Sequence, residues 1–225
     1  METVLTGSWN LYHKLMSQYD DDSIWIKGNA LFRALECRCT ATAEHSLVVA
    51  YRSYQLSSKS PQTYKIRNLI FLAGLLHDIG KLSMADDVLK SARKISTQMD
   101  FEHLVNHVTH GVDLLIKLNF PREIIEFCQF HHERLNGSGY PNALSDISWI
   151  GKIAAVADVY SALKLPRLYR PDIMSDAQIL AFFKTQPGAF DPQTILSLEE
   201  ILISSTQNNC HDELIIEEVN SHVLG

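Results

Sequence analysis

A histidine and an aspartate lie side by side at the end of an apolar run in this 225-residue sequence, in the segment Leu75-Leu76-His77-Asp78-Ile79-Gly80-Lys81. An apolar helix has no packing reason to end in such a pair, and burying it is costly unless the groups are paired or bind a metal. Histidine supplies a neutral nitrogen ligand, and aspartate can bridge two cations. We predict that Gly80 ends the helix and that Lys81 lies where it can meet a bound phosphate.

Further histidines and an aspartate follow in an order that suits one shared site. The spacing of four and then three predicts that His103, His107 and His110 lie on one helical face. The pair at 131–132 comes next, and Asp158 lies in a largely apolar stretch. A single histidine on an apolar face is more often an ordinary core residue. The joint occurrence of these groups favours a metal site.

Helices are the elements that must position these residues. Apolar residues recur at intervals of three and four, as at Leu69, Leu72, Leu75 and Leu76, which is typical of helices packed on a core. No run alternates with a period of two for long enough to predict a sheet. We therefore predict an all-α helical bundle, in which residues 1–40 are an N-terminal helical extension and residues 41–225 are the domain that carries the motifs.

Composition narrows the class of partner. The net charge is -6 and no basic run is present, which argues against a nucleic-acid duplex or an anionic membrane as the main partner. The four cysteines lack the spacing of zinc or redox motifs, and we expect reduced thiols. The sequence shows no signal-peptide pattern and no apolar run long enough to cross a bilayer. We expect a cytoplasmic protein.

Taken together, the motifs resemble those of the HD-GYP subgroup of the HD phosphohydrolase superfamily. The matching segments, in family order, are HDIGK at 77–81, His107 with Gly111, HHERLNGSGYP at 131–141, ADVYSAL at 157–163, RLYR at 167–170 and FDP at 190–192. The resemblance spans about residues 45–192. It implies an HD-domain helical bundle with additional N-terminal helices. It also implies a phosphodiesterase that hydrolyses a cyclic dinucleotide, cyclic di-GMP first of all, by attack of a hydroxide that bridges two metal ions.

The resemblance also implies roles for individual residues. The implied metal ligands are His45, His77, Asp78, His107, His131, His132 and Asp158. They would hold two transition-metal ions per chain, iron or manganese, with Asp78 as the bridge and with Lys81 beside it as the second catalytic group. Lys81, Arg167 and Arg170 would bind substrate phosphate, and Tyr140 would shape the substrate site. His103 and His110 match no ligand position of the family.

Several positions depart from the family pattern or surround the ligands. Members with a third metal carry a glutamate where this chain has Ala41, and the neighbouring Glu44 would point elsewhere, so two metals are expected. Asn136 and Ser161 stand where aspartate is usual, which removes negative charge near the site. Glu133 is expected to orient His131 or His132 rather than to act as a general base.

These departures keep two alternatives open. One is a degenerate HD-GYP module that binds metal or dinucleotide and signals by protein contact. The other is a phosphohydrolase of another nucleotide, since no motif reads the guanine base. Because only about 44 residues precede His45, too few for a receiver domain, we expect regulation by a separate protein, by oligomerisation or by the N-terminal helices.

Overall fold

The computed structural model describes residues 2–89, 98–166 and 172–207, and no strand occurs among them. The predicted all-α fold is confirmed. The α-helices, in chain order, are α1 (Glu2–Gln18), α2 (Ser23–Arg38), α3 (Thr40–Ser57), α4 (Tyr64–Leu76), α5 (Asp86–Leu89), α6 (Gln98–Lys117), α7 (Arg122–Phe130), α8 (Trp149–Lys164), α9 (Asp176–Lys184) and α10 (Pro192–Gln207). A 3₁₀ helix, Ile79–Ser83, follows α4.

Short polar side chains start several of these helices. The Asp22 carboxylate accepts hydrogen bonds from the backbone amides of Ile24 and Trp25 at the start of α2. The Ser148 hydroxyl accepts from the Gly151 amide in α8, and Ser175 forms a capping box in α9. Each cap satisfies amides that have no partner within the helix, and so it defines where the helix begins.

Helix α3 is the centre of the bundle. Its side chains from Thr42 to Ser57 are buried with the single exception of Glu44, and it packs against α4, α8, α1 and α2. The approach of α4 is close enough that a Cβ atom on Gly74 would lie 2.5 Å from the Ala50 Cα. Because α4 and α8 flank the same helix, polar residues on their inner faces meet at α3.

The N-terminal helices share this core. Leu11, Leu15, Phe32 and Leu35 are fully buried and belong to the same apolar cluster as α3. Helix α2 also contacts α4 and the 3₁₀ helix. The boundary near residue 40 stays a prediction. Among the described helices, none is long and apolar enough to cross a membrane.

Candidate metal centre

Five segments bring the predicted ligands together in one cluster. His45 lies on α3, His77 and Asp78 directly follow α4, His107 lies on α6, His131 and His132 directly follow α7, and Asp158 lies on α8. All of them are buried except His132, which is partly exposed. The bundle therefore assembles, from distant parts of the chain, a polar cluster that its apolar surroundings shield from water.

The first half of the cluster is the His45 group, made of His45, His77, one oxygen of Asp78 and one oxygen of Asp158. His45 Nε2 lies 3.0 Å from Asp158 Oδ1 and 3.8 Å from Asp78 Oδ2. His77 Nε2 lies 3.4 Å from the same Asp78 oxygen and 3.9 Å from Asp158 Oδ1. Two imidazole nitrogens and two carboxylate oxygens thus face a common point.

The second half is the His107 group, made of His107, His131, His132 and the other oxygen of Asp78. His107 Nε2 lies 3.3 Å from His131 Nε2, and Asp78 Oδ1 lies 3.2 Å and 3.9 Å from these two nitrogens. The three histidines offer ligand atoms within 4.8 Å of one another. Asp78 therefore turns one oxygen to each group.

Hydrogen bonds at the far side of the rings fix which nitrogen faces the cluster. His77 Nδ1 donates to the Gly74 carbonyl over 2.8 Å, and His131 Nδ1 donates to the Cys128 carbonyl over 2.7 Å. His45 Nδ1 lies 2.8 Å from the Ser161 hydroxyl, which itself donates to the His45 carbonyl. Because each Nδ1 carries the proton, each Nε2 presents a lone pair inward, as a metal ligand must.

Two buried atoms test whether this cluster fits a metal. His77 Nε2 and Asp78 Oδ1 have no hydrogen-bond partner among the described residues, although both residues are at most 1% exposed. Leaving buried polar atoms unpaired is costly. The chemistry of the donor set, imidazole nitrogens with carboxylate oxygens, suits transition-metal ions. The residues present therefore fit a metal centre.

The electrostatics of the cluster favour the metal-binding form of four ligands, Asp78, Asp158, His131 and His132. At His77 burial lowers the pKa, but the Asp78 and Asp158 carboxylates outweigh burial and raise it. Burial alone would raise the pKa of both carboxylates. Lys81 and the adjacent imidazoles outweigh burial at Asp78, and the imidazoles of His45, His132 and His131 outweigh it at Asp158, so both pKa values lie well below the usual range. Burial lowers the pKa of His131 and His132 well below normal, and adjacent imidazoles lower it further. Ionised carboxylates and neutral imidazoles are the forms that bind metal.

Lys81 and Tyr140 lie at the accessible rim of the cluster. Lys81 Nζ donates to Asp78 Oδ2 over 2.5 Å, and its side chain is 15% exposed. The Tyr140 ring packs on the His132 ring with centroids 4.4 Å apart. Lys81 thus lies beside Asp78, and Tyr140 lies beside the partly exposed His132.

The loop at 136–144 is held by Glu133. Its two carboxylate oxygens accept hydrogen bonds from the backbone amides of Asn142 and Leu144, at 2.8 Å and 2.9 Å. In the structure both oxygens bind this loop, and the expected effect of Glu133 on the orientation of His131 or His132 stays a prediction. Asn136 is exposed, and its side-chain oxygen accepts from Ser138 within the loop.

Gly80 also differs from its prediction. Helix α4 ends at Leu76, and Gly80 lies inside the 3₁₀ helix. Its function is close packing, because a Cβ atom there would lie 1.8 Å from the His107 carbonyl oxygen and 2.6 Å from the Gly111 nitrogen. The missing side chain lets α6 bring His107 against the segment that carries Asp78.

Four further residues were singled out in the sequence: His103, His110, Arg167 and Arg170. His110 does not share the buried environment of His107, since it is exposed and its Nδ1 lies 2.7 Å from the Ser83 hydroxyl. Arg167 and Arg170, the predicted phosphate ligands, lie outside the described residues, as does the side chain of His103.

Comparison with known proteins agrees with this geometry. A sequence model described as HD domain matches residues 31–194. The chain belongs to the HD domain family. The HD domain is 34% identical over 175 residues to a Vibrio cholerae protein named 3'3'-cGAMP-specific phosphodiesterase 2, covering 76% of this chain and 33% of that one. It is 34% identical to a Thermotoga maritima cyclic di-GMP phosphodiesterase, covering 60% and 38%. The resemblance to HD-GYP proteins is confirmed. The chain spans about a third of the length of these curated relatives.

Solved structures share the fold of this HD domain. An HDGYP-type protein, Bd1817 from Bdellovibrio bacteriovorus, aligns with a TM-score of 0.60 at 18% identity, covering 88% of this chain and 70% of its own. The HD domain of the L. monocytogenes phosphodiesterase PgpH, solved with cyclic-di-AMP, aligns with a TM-score of 0.59 at 17% identity, covering 79% and 95%. At these identities the comparison establishes the helical architecture.

Proposed function

We propose that this HD domain is a metal-dependent phosphodiesterase that hydrolyses a cyclic dinucleotide, with cyclic di-GMP as the first candidate and 3'3'-cGAMP as the second. The observation that carries the proposal is the placement of Asp78. One of its oxygens faces the His45 group and the other faces the His107 group, with separations of 3.2 to 3.9 Å. A carboxylate shared by two ligand sets suits a site that holds two metal ions close together, as two-metal phosphodiesterases do.

The two groups would hold one ion each, iron or manganese. When bound, such ions supply Lewis acidity to the phosphoryl oxygens and activate water for attack on phosphorus. The residues of the chain supply the rest. Ser161 and two backbone carbonyls keep the imidazole lone pairs turned inward, and Lys81 offers a cation at the rim for a phosphate oxygen.

The substrate class is supported by the names of the relatives. The V. cholerae relative is named as cGAMP-specific, the T. maritima relative as a cyclic di-GMP enzyme, and PgpH was solved with cyclic-di-AMP. A cyclic dinucleotide contains two phosphodiesters with one negative charge each. Lys81 offers a cation for one of them, and Arg167 and Arg170 would add a bidentate phosphate clamp. A separate regulatory protein remains part of the proposal, as does a cytoplasmic location.

Ser161 bears on the alternative of a degenerate binding module. The family usually has aspartate here, but the Ser161 hydroxyl still accepts from His45 Nδ1. The hydrogen bond that orients the His45 ring is thus kept, with a neutral hydroxyl as its acceptor. Asn136 is exposed and bonds within its own loop, so its exchange leaves the buried ligands untouched. Both observations favour catalysis over a binding module.

The test is hydrolysis by the purified chain, stripped of metal and reloaded with manganese or with ferrous ion under anaerobic conditions. Cyclic di-GMP, 3'3'-cGAMP and cyclic di-AMP are assayed separately and the products are separated by chromatography. We expect turnover of a guanine-containing dinucleotide, abolished by Asp78→Asn and unchanged by Asp146→Asn, which alters an exposed carboxylate that follows the loop at 136–144. A metal-loaded protein that binds a dinucleotide without cleaving it would instead establish the binding module.

A further inference from the structure

Arg38, the last residue of α2, reaches from the N-terminal helices to the segment that carries Lys81. Its Nη1 donates to the Leu82 carbonyl oxygen, its Nη2 donates to the Met84 carbonyl oxygen, and Nη2 also lies 3.1 Å from Asp86 Oδ1. We propose that Arg38 is a positioning residue that holds Lys81 at the metal centre and makes the N-terminal helices part of the active site. The inference rests on the proposed function, since it assigns Lys81 to substrate phosphate.

The bonds of Arg38 meet a need of the 3₁₀ helix. The last carbonyl oxygens of a helix find no amide donor within the helix. They are satisfied by donors from outside it. A guanidinium is a rigid, planar fork with five donors, so it can bind two carbonyls at once, whereas an ammonium acts as a point charge. The ion pair with Asp86 adds little by itself, because the Asp86 side chain is 61% exposed. The carbonyl contacts are therefore the specific ones.

The turn that Arg38 binds is also the turn that positions Lys81 beside Asp78. The Lys81 amide donates to the Asp78 carbonyl over 2.9 Å, and the Met84 amide donates to the Lys81 carbonyl over 3.1 Å. Lys81 thus lies inside a turn whose far end is bound by Arg38. The first carbonyl that Arg38 binds, that of Leu82, directly follows Lys81 in the chain. A shift of this end moves the Lys81 backbone relative to Asp78, to which its ammonium now donates.

The opposite side of the turn is held independently. The Ser83 hydroxyl donates to the Gly80 carbonyl and lies 2.7 Å from His110 Nδ1 on α6. Gly80 itself is packed against the α6 backbone. Removal of Arg38 should therefore loosen one side of the turn without unfolding it, which separates positioning from general stability.

The variants are Arg38→Met, which keeps an unbranched apolar stem and removes the fork, and Arg38→Lys, which restores the charge alone. Arg33→Met is the matched control, because Arg33 lies on the same helix and pairs with Glu36 over 2.7 Å with a 54% exposed side chain. Hydrogen–deuterium exchange of the 79–84 amides reads the turn directly. Metal content, melting temperature and steady-state kinetics are measured on the same preparations.

We expect Arg38→Met to speed exchange at 79–84, with no change in α8 and no loss of metal. Because a small misplacement of a catalytic group is costly, kcat/KM should fall by about tenfold, with Arg38→Lys recovering part of the loss and Arg33→Met resembling wild type. In the Lys81→Ala background, Arg38→Met should cost less than about twofold more, because its effect is exerted through Lys81.

Unchanged exchange at 79–84 in Arg38→Met would overturn the proposal. So would kinetic losses that add fully in the double variant, or a loss of metal and melting temperature that accounts for the kinetic defect. If wild type cleaves no cyclic dinucleotide, the proposed function fails, and the exchange measurement still decides whether Arg38 positions the Lys81 turn.

Discussion

Replacing Ser161 with alanine should weaken one metal site and leave the other intact. The Ser161 side chain is fully buried, and its hydroxyl accepts the His45 Nδ1 proton over 2.8 Å. Its removal leaves a buried donor without that partner and frees the ring to turn. Since His45 belongs to the His45 group and not to the His107 group, the damage should be confined to the first.

The size of the effect follows from the bond that is lost. Removing one partner of a buried hydrogen bond costs at most about 1–3 kcal/mol, and loss of a residue that orients a metal ligand costs about 10- to 100-fold in metal affinity. These two ranges agree, because about 1.4 kcal/mol corresponds to a tenfold change in an equilibrium constant. We therefore expect one manganese dissociation constant to rise by that factor.

Competition titration of the metal-free protein against a fluorescent chelator measures both affinities. Ser46→Ala is the matched control, because Ser46 is also fully buried, is adjacent to His45 in the chain, and its hydroxyl has no hydrogen-bond partner among the described residues. The control should keep both affinities. Equal weakening of both sites in Ser161→Ala, or no weakening of either, would refute the assignment of Ser161 to His45.

Three further outcomes are expected. Arg167→Ala and Arg170→Ala should each lower kcat/KM by about tenfold to a hundredfold at unchanged metal content, the loss expected for a charge-assisted bond, and normal kinetics would exclude a phosphate clamp. Gly80→Ala should lower the melting temperature and the metal content, because the new Cβ atom would lie 1.8 Å from a carbonyl oxygen of α6. Overpacking of this kind costs about 1–3 kcal/mol or more. A wild-type melting temperature and metal content would count against the close approach. The metal-free protein should lose stability as the pH falls below 6.5. The pKa values of His131 and His132 are lowered in the folded state, so these histidines bind protons in the unfolded chain first. A melting temperature that rises on acidification would contradict this.

Local patterns predicted the fold, and they singled out residues that lie close together in it, for a physical reason. The His77-Asp78 pair at the end of an apolar helix and the adjacent His131-His132 pair conflict with simple packing, and such a conflict is visible in the sequence itself. The structure brings all seven proposed ligands together. Their assignment to two ions, and the identity of the ions, stay predictions.

The partners of these residues were harder to predict because they depend on contacts between distant segments. Nothing in the local sequence shows that the Cys128 carbonyl receives the His131 proton, or that Glu133 binds the amides of Asn142 and Leu144. Gly80 was read as a helix terminator, the commonest local role of glycine, whereas the backbone of α6 is what requires it. The reach of Arg38 across to Leu82 and Met84 has no local signal at all.

Anomalous scattering from crystals of the manganese-loaded protein tests the central claim most directly. The account predicts two peaks, one between Asp78 Oδ2 and the nitrogens of His45 and His77, and one between Asp78 Oδ1 and the histidines of the His107 group. Asp78→Asn crystals grown under the same conditions should lose at least one of them. A single peak in the wild-type protein, or two peaks of which neither adjoins Asp78, would contradict the bridged two-metal centre.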